Sequence, residues 1–181
     1  QKAFRAIQYE EHVLDNPVGL LEQAYARDPF LVCLSSSQIQ HCVANTLAHL
    51  TDEAAWMSAL RILRARLMFR WIWQDANQLT DVVTLTRELS DFADEAICAA
   101  KAFARAPLIA KYGEPMGYNG ALQDLIVVAM GKLGAQELNL SSDIDLIFAF
   151  GEQGETTARK SIDIQQFCIL WGQKLIYLLD H

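Results

Sequence analysis

The chain has 181 residues, 52% hydrophobic and 20% charged, with a formal net charge of -7. That length suits one packed core, or a helical region joined to a smaller unit, and the acidic balance speaks against a general nucleic-acid binder, which carries a basic surface. No run reaches the roughly 18–20 uncharged apolar residues that span a bilayer, and the opening QKAFRAIQYEEH lacks the apolar core of a secretory signal, so neither a membrane segment nor export is expected.

In chain order, residues 18–26 read as a short helix stopped by Asp28-Pro29. Segment 36–50 reads as a second, entered through a Ser-rich turn whose hydroxyls suit an N-cap. Thr51-Asp52 caps a long helix through about Gln74. Its apolar residues Trp56, Leu60, Leu63, Leu67 and Trp71 recur at three- and four-residue steps and predict a core-facing stripe. Thr80 or Asp81 caps the next helix, lined on one side by Val82, Leu85, Leu89, Phe92, Ala96, Ala99 and Phe103 and ended by Pro107.

At Gly113 the character changes, and GEPMGYNG reads as a linker. Leu125–Ala129 is an apolar, β-branched run that predicts a strand buried on both faces. The glycine turn MGKLG and a short segment around AQELN follow, then a second strand in DIDLIFAF. A polar loop lies between Gly151 and Gly154. Ser161 or Asp163 caps a last helix to about Leu179, with Ile164, Phe167, Leu170, Leu175 and Leu178 inward. The class is therefore α+β: a helical region over residues 1–112, then a smaller unit over 113–181 with a small mixed sheet.

Chemistry concentrates in residues 131–148. Residues two apart on a strand share a face, so Asp143 and Asp145 should project together, their Cα atoms about 6–7 Å apart, while Ile144 and Leu146 turn to the core. Carboxylates that close repel unless a cation lies between them. Oxygen ligands of this kind suit Mg²⁺ or Mn²⁺, which shares its remaining positions with water and phosphate. Upstream, Gly131-Lys132-Leu133-Gly134 forms a turn whose glycine admits positive φ and whose amides suit an anion. Lys132 adds charge, and Ser141 and Ser142 offer hydroxyls. Phosphate donors facing a metal pair suit transfer of a nucleotidyl or phosphoryl group, a reaction dominated by positioning and charge stabilisation. The alternatives fit less well: a P-loop needs Ser or Thr after Gly-Lys, where Leu133 stands, and GxGxxG is absent.

The run VAMGKLGAQELNLSSDIDLIF (Val128–Phe148) resembles the signature of bacterial glutamine synthetase adenylyltransferases, the bifunctional adenylylating and deadenylylating enzymes. The resemblance extends over Leu60–Asp180 through LRILRARLMFRWIWQDA, RELSDFADEAI and FCILWGQKLIYLLD. It implies a nucleotidyltransferase domain of the polymerase-β type beside helical segments, in a cytoplasmic enzyme of nitrogen regulation. The implied partners are glutamine synthetase as protein substrate, ATP or ADP and phosphate, and a PII-type regulator acting through the longer enzyme; no nucleic acid or membrane is implied. ELN, SSDID and GQKLIYLLD look more like the amino-terminal copy, which removes AMP from a tyrosine of glutamine synthetase by phosphorolysis. The adenylylating, ATP-using half and a non-catalytic nucleotide- or partner-binding module are the alternatives.

Glu137 and Asn139 belong to the family motif without an assigned step. Ala135 stands where the family often has glycine and polymerase-β relatives often have serine. The resemblance also implies a third carboxylate on a later strand, beyond His181. The expectation is therefore a fragment of a longer polypeptide, itself inactive or weakly active.

Elsewhere the plainer readings are preferred. Arg61, Arg64, Arg66 and Arg70 read as a solvated, salt-bridged face, Trp56, Trp71 and Trp73 as core or interface, and Asp91, Asp94 and Glu95 as the wet side of a helix. His12, His41, His49 and His181 show no ligand spacing. Cys33, Cys42, Cys98 and Cys168, without a CxxC pair, predict buried thiols in a reducing compartment rather than disulfides or a zinc site.

Overall fold

A computed structural model describes residues 33–180; the helix expected at 18–26, His12 and His181 lie outside them. The described chain forms two compact units. One holds the residues up to Ala93 together with Gln136–Ser142, and the other holds Asp94–Ala135 and the residues from Asp143 onward.

The helices follow their caps. Helix α1 (Ser36–Leu47) starts at Ser35 in a capping box: the Gln38 amide donates to Ser35 Oγ, and the Ser35 amide donates to Gln38 Oε1 at 2.9 Å. Helix α2 (Glu53–Ala76) starts at Asp52, whose carboxylate accepts the Ala55 amide at 2.8 Å. Its expected stripe is the buried one, with Trp56, Leu60, Leu63, Leu67 and Trp71 each 8% exposed or less. Arg70 departs from the expected solvated face. It lies three and four residues from Leu67 and Gln74 on the inward side and is buried, while Arg61, Arg64 and Arg66 are exposed.

Helix α3 (Val82–Tyr112) is capped by Asp81, which accepts the Thr84 amide at 2.8 Å. Pro107 does not end it. Proline removes one N–H and crowds the preceding turn, yet the helix continues to Tyr112, and the Gly113 amide closes its end on the Ile109 carbonyl at 2.8 Å. Pro107 itself is exposed and Tyr112 is buried, so the chain beyond the proline keeps an apolar anchor. The inward stripe also shifts: Val82 is 68% exposed, whereas Ile97, Ala100 and Ala104 are buried. Within the first unit Trp71 packs edge-on against Phe92 and donates its indole N–H to Glu88 at 2.7 Å.

In the second unit the expected linker is a structured element. Strand β1 (Pro115–Gly117) pairs antiparallel with β4 (Gly154–Thr156), in register Met116↔Glu155, and a tight turn at Tyr118–Gly120 follows. Gln123 braces this region: its amide donates to the Pro115 carbonyl at 2.8 Å and its side chain accepts the Glu152 amide at 2.9 Å. Strands β2 (Ile126–Ala129) and β3 (Leu146–Ala149) form a second antiparallel pair, in register Val127↔Phe148. All strand pairing among the described residues is thus antiparallel, in two two-stranded sheets.

Between β2 and β3 lies the one-turn helix α4 (Gly131–Gly134). Helix α5 (Ile164–Asp180) is capped by Asp163, which accepts the Gln166 amide at 2.7 Å. It buries Ile164, Phe167, Trp171, Leu175 and Leu178, and Trp171 replaces the expected Leu170 on the inner side. The Trp171 indole donates to the Lys101 carbonyl at 2.8 Å, with the Lys101 and Arg105 cations over its ring.

Burial of β2 on both faces is overturned. Ile126 and Val128 are 47% and 43% exposed, and Ile144 is exposed too instead of turning to the core. The ribbon has two faces: Phe148 lies against Gly172 of α5, whereas Ile126, Val128 and Ile147 lie on the other, open face. Of the cysteines, all free, only Cys168 is buried, while Cys33 and Cys98 are exposed. No helix among the described residues is long and apolar enough to cross a membrane.

Candidate functional site

Met130 carries the chain from β2 into the glycine turn. Its amide donates to the Asp145 carbonyl at 2.9 Å, which extends the β2–β3 ladder by one pair and ties the turn to the acidic segment. Gly131 adopts φ +56, a left-handed conformation that costs other residues free energy. A Cβ built there would meet only one neighbour, Asp145 Oδ2 at 3.8 Å. The Asp145 carboxylate therefore lies beside the turn, as the sequence pattern expects.

Gly134 serves a different purpose. A Cβ there would lie 2.5 Å from the Ala129 carbonyl oxygen, so its lack of a side chain lets α4 close back on β2. Leu133, 1% exposed, anchors the same turn in the core. The Gly134 and Ala135 amides bond back to the carbonyls of Met130 and Gly131. The first amides of a helix have no acceptor among its own carbonyls. Lys132 is exposed in the same turn.

Asp143 and Asp145 are both exposed and both precede β3 instead of lying inside it. By strand alternation Asp145 shares the open face with Ile147, opposite Phe148. A groove of about 370 Å³ between β3 and α5, lined by Phe148, Phe150, Cys168, Ile169 and Gly172 among others, includes Phe148 of the opposite face and does not include either carboxylate. The Asp145 carboxylate beside the glycine turn and the exposed Asp143 two residues before it are hard oxygen donors, the type a divalent cation takes together with water and phosphate. Among the described residues no group of three or more His, Cys, Asp or Glu is placed to hold a metal ion, so a third carboxylate is not supplied there.

The remaining motif residues lie in the first unit, in one hydrogen-bonded turn. Asn139 Oδ1 accepts from Ser142 Oγ at 2.6 Å, from the Ser141 amide at 3.1 Å and from Ser141 Oγ at 3.3 Å. A hydroxyl has a single proton, so in this arrangement both serines direct theirs to Asn139. Glu137 is exposed. Asn139, without a role by sequence reasoning, organises the turn that ends at Asp143. Sequence reasoning also missed Ser90, fully buried on α3, whose Oγ accepts the Leu138 amide at 3.1 Å. Its only sequence signal is a hydroxyl among the apolar positions Leu89, Phe92 and Ala93. His41 pairs with Asn45, one helical turn away, at 2.8 Å, and Asp91 accepts Ser36 Oγ–H at 2.6 Å.

The family described as glutamate-ammonia ligase adenylyltransferase matches residues 9–181 of the chain. Among similar proteins, the bifunctional glutamine synthetase adenylyltransferase/adenylyl-removing enzyme of Acinetobacter baylyi is 70% identical over 181 residues, which is 100% of this chain and 20% of that protein. The protein of the same name from Thioalkalivibrio sulfidiphilus is 46% identical over 129 residues, 71% of this chain and 13% of its own. That from Hahella chejuensis is 43% identical over 167 residues, 86% of this chain and 17% of its own. The chain thus spans 20% or less of the length of these three relatives. With 173 of its residues inside the family match, the chain belongs to the glutamate-ammonia ligase adenylyltransferase family.

Proposed function

We propose that this chain carries part of the catalytic unit that removes AMP from an adenylylated tyrosine of glutamine synthetase by phosphorolysis, in the cytoplasm. The observation that carries the reading is the placement of the Asp145 carboxylate beside the Gly131 turn. The forms ELN, SSDID and GQKLIYLLD favour the removing direction.

In the reaction an oxygen of inorganic phosphate bonds to the phosphorus of the tyrosine-linked AMP. The bond from that phosphorus to the tyrosine oxygen breaks, the hydrogen phosphate proton passes to the phenolate, and ADP and free tyrosine leave. Asp143 and Asp145 would hold Mg²⁺ or Mn²⁺, which when bound supplies neutralising charge to the phosphoryl oxygens. The amides opening the Gly131–Gly134 turn and the Lys132 ammonium hold and orient the attacking phosphate, and little else is required where positioning dominates. Gly134 keeps the turn seated on β2.

The test is a titration of Mn²⁺ with ADP into wild type and into the Asp143→Asn/Asp145→Asn variant. Metal-dependent ADP binding is expected in the former and absent from the latter; equal binding by both removes the site. Direction is decided on a longer polypeptide that includes this segment, given adenylylated glutamine synthetase and phosphate. ADP release supports removal, whereas label transfer from ATP to unmodified glutamine synthetase assigns the segment to the adenylylating half.

A further inference from the structure

The register of the β2–β3 ribbon decides which side chains share its open face. Val128 stands opposite Ile147 and Ile126 opposite Ala149. The Met130 amide on the Asp145 carbonyl adds Met130 opposite Asp145 as the next pair. Met130 is itself extended, with φ -112 and ψ 173, so the alternation of faces runs through it. Partners across a ladder lie on one face, and so do residues two apart. One face therefore carries Ile126, Val128, Met130, Ile147 and Ala149 in a row that ends at the Asp145 carboxylate, all within one compact unit. The four large apolar members, Ile126, Val128, Met130 and Ile147, are between 43% and 52% exposed.

Single apolar residues at a surface need no explanation, whereas a contiguous group marks a binding face. Asp145 is the one member of this row with a hydrogen-bonding side chain, so whatever lies on the rest is held by apolar contact. At the Asp145 end the space over the turn is open: a Cβ on Gly131 would meet only Asp145 Oδ2, at 3.8 Å. Successive pairs on the face are about 7 Å apart along the strands. A diphosphate gathered at Asp145 and the Gly131 turn thus leaves its nucleoside within reach of Val128 and Ile147.

We propose that this row is the base platform of the site, with Val128 and Ile147, flanked by Ile126 and Met130, taking the flat face of the purine of a nucleoside diphosphate. The proposal rests on the reading of Asp143 and Asp145 as metal ligands of a nucleotide site. Burial of the ring and the aliphatic side chains from water supplies the attraction. Continuity with Asp145 favours the nucleotide over a covering segment of a longer polypeptide.

The test uses the 181-residue chain with Mg²⁺ and two probes, ADP and inorganic pyrophosphate, which share a diphosphate and differ in the nucleoside. In methyl NMR of wild type, the ring current of the base should shift the Val128 and Ile147 methyl resonances with ADP and leave them in place with pyrophosphate. By calorimetry, Val128→Thr/Ile147→Thr, which keeps the strand preference, should weaken ADP on the order of tenfold and leave pyrophosphate unchanged. Asp145→Asn should abolish binding of both. Should the double variant fail to fold, the single variants decide, each weakening ADP by about threefold. If Asp145→Asn abolishes binding while the threonine variants bind ADP as wild type does, or no methyl of the row shifts, the platform is refuted and the metal site stands. Equal loss of both probes in the double variant refutes the platform too. In a longer polypeptide that includes this segment, a lower melting temperature with unchanged ADP affinity assigns the row to a covering segment and overturns the proposal. Absence of binding of either probe by wild type, or unchanged binding by Asp145→Asn, overturns the functional reading and the platform with it.

Discussion

Replacing Gly134 with alanine pits helix propensity against contact geometry. In an ordinary helix the change is favourable by about 0.8–1 kcal/mol, because alanine restricts the unfolded chain and glycine does not. Here the new methyl would stand 2.5 Å from the Ala129 carbonyl oxygen and 3.2 Å from its carbon. Comfortable carbon–oxygen approaches begin at about 3.3 Å, so α4 and β2 must part by about 0.8 Å. Neither side yields easily: Ala129 is paired with Leu146 in the ladder, and the Gly134 amide is bonded to the Met130 carbonyl. Overpacking of this kind costs about 1–3 kcal/mol, which outweighs the propensity gain and leaves a net loss of up to about 2 kcal/mol. Urea unfolding followed by circular dichroism measures the loss, and amide exchange at Met130 reports whether the turn has lifted from the strand. A Gly134→Ala protein as stable as wild type, with Met130 equally protected, would mean that the close approach to Ala129 has no energetic content.

Trp71→Phe removes the N–H that serves the buried Glu88 carboxylate and should destabilise by about 1.5–3 kcal/mol, the range for hydrogen bonds to charged groups; an unchanged melting temperature contradicts this. Asp52→Ala should cost about 1 kcal/mol through loss of the cap on the Ala55 amide, and Asp52→Asn should recover most of it. Burial, followed by the Asp124 carboxylate, pushes the Cys168 thiol up to about 11 from 9.0. Since the folded-state value is the higher one, the stability it contributes is complete below about pH 9 and is lost as pH rises through about 11. Iodoacetamide at pH 8 should accordingly modify the exposed Cys33 and spare Cys168 until urea is added, and equal rates in the folded protein would refute the protection.

Much of this protein is legible in short stretches of sequence because the governing forces act within one or two turns. Ser35 with Gln38, Asp52 with Ala55, Asp81 with Thr84 and Asp163 with Gln166 are caps made between residues three apart. The stripe from Trp56 to Trp71 is likewise fixed by the helical period. Glycine at 131 and acid at 145 announce a turn and a charge, and the family motif links them. The match stops where distance along the chain begins to matter. Pro107 reads as a stop, yet the Gly113 amide closes the helix end on Ile109 and buried Tyr112 anchors it. The β-branched run at 125–129 reads as a buried strand, but which faces are covered depends on the partners a strand finds, and Ile126 and Val128 face outward.

The sequence by itself determined the order of helices among the described residues, their starting caps, the glycine turn and the acidic pair, since each is a local preference of backbone or side chain. Tertiary structure alone decided that Gly134 matters for its closeness to Ala129, that the hydroxyls of Ser141 and Ser142 serve Asn139, and that Ser90 holds Leu138. Those facts concern which atoms meet once the chain has folded. Hydrogen bonding and packing are short-ranged in space, and no spacing of letters encodes a meeting between residues 48 positions apart.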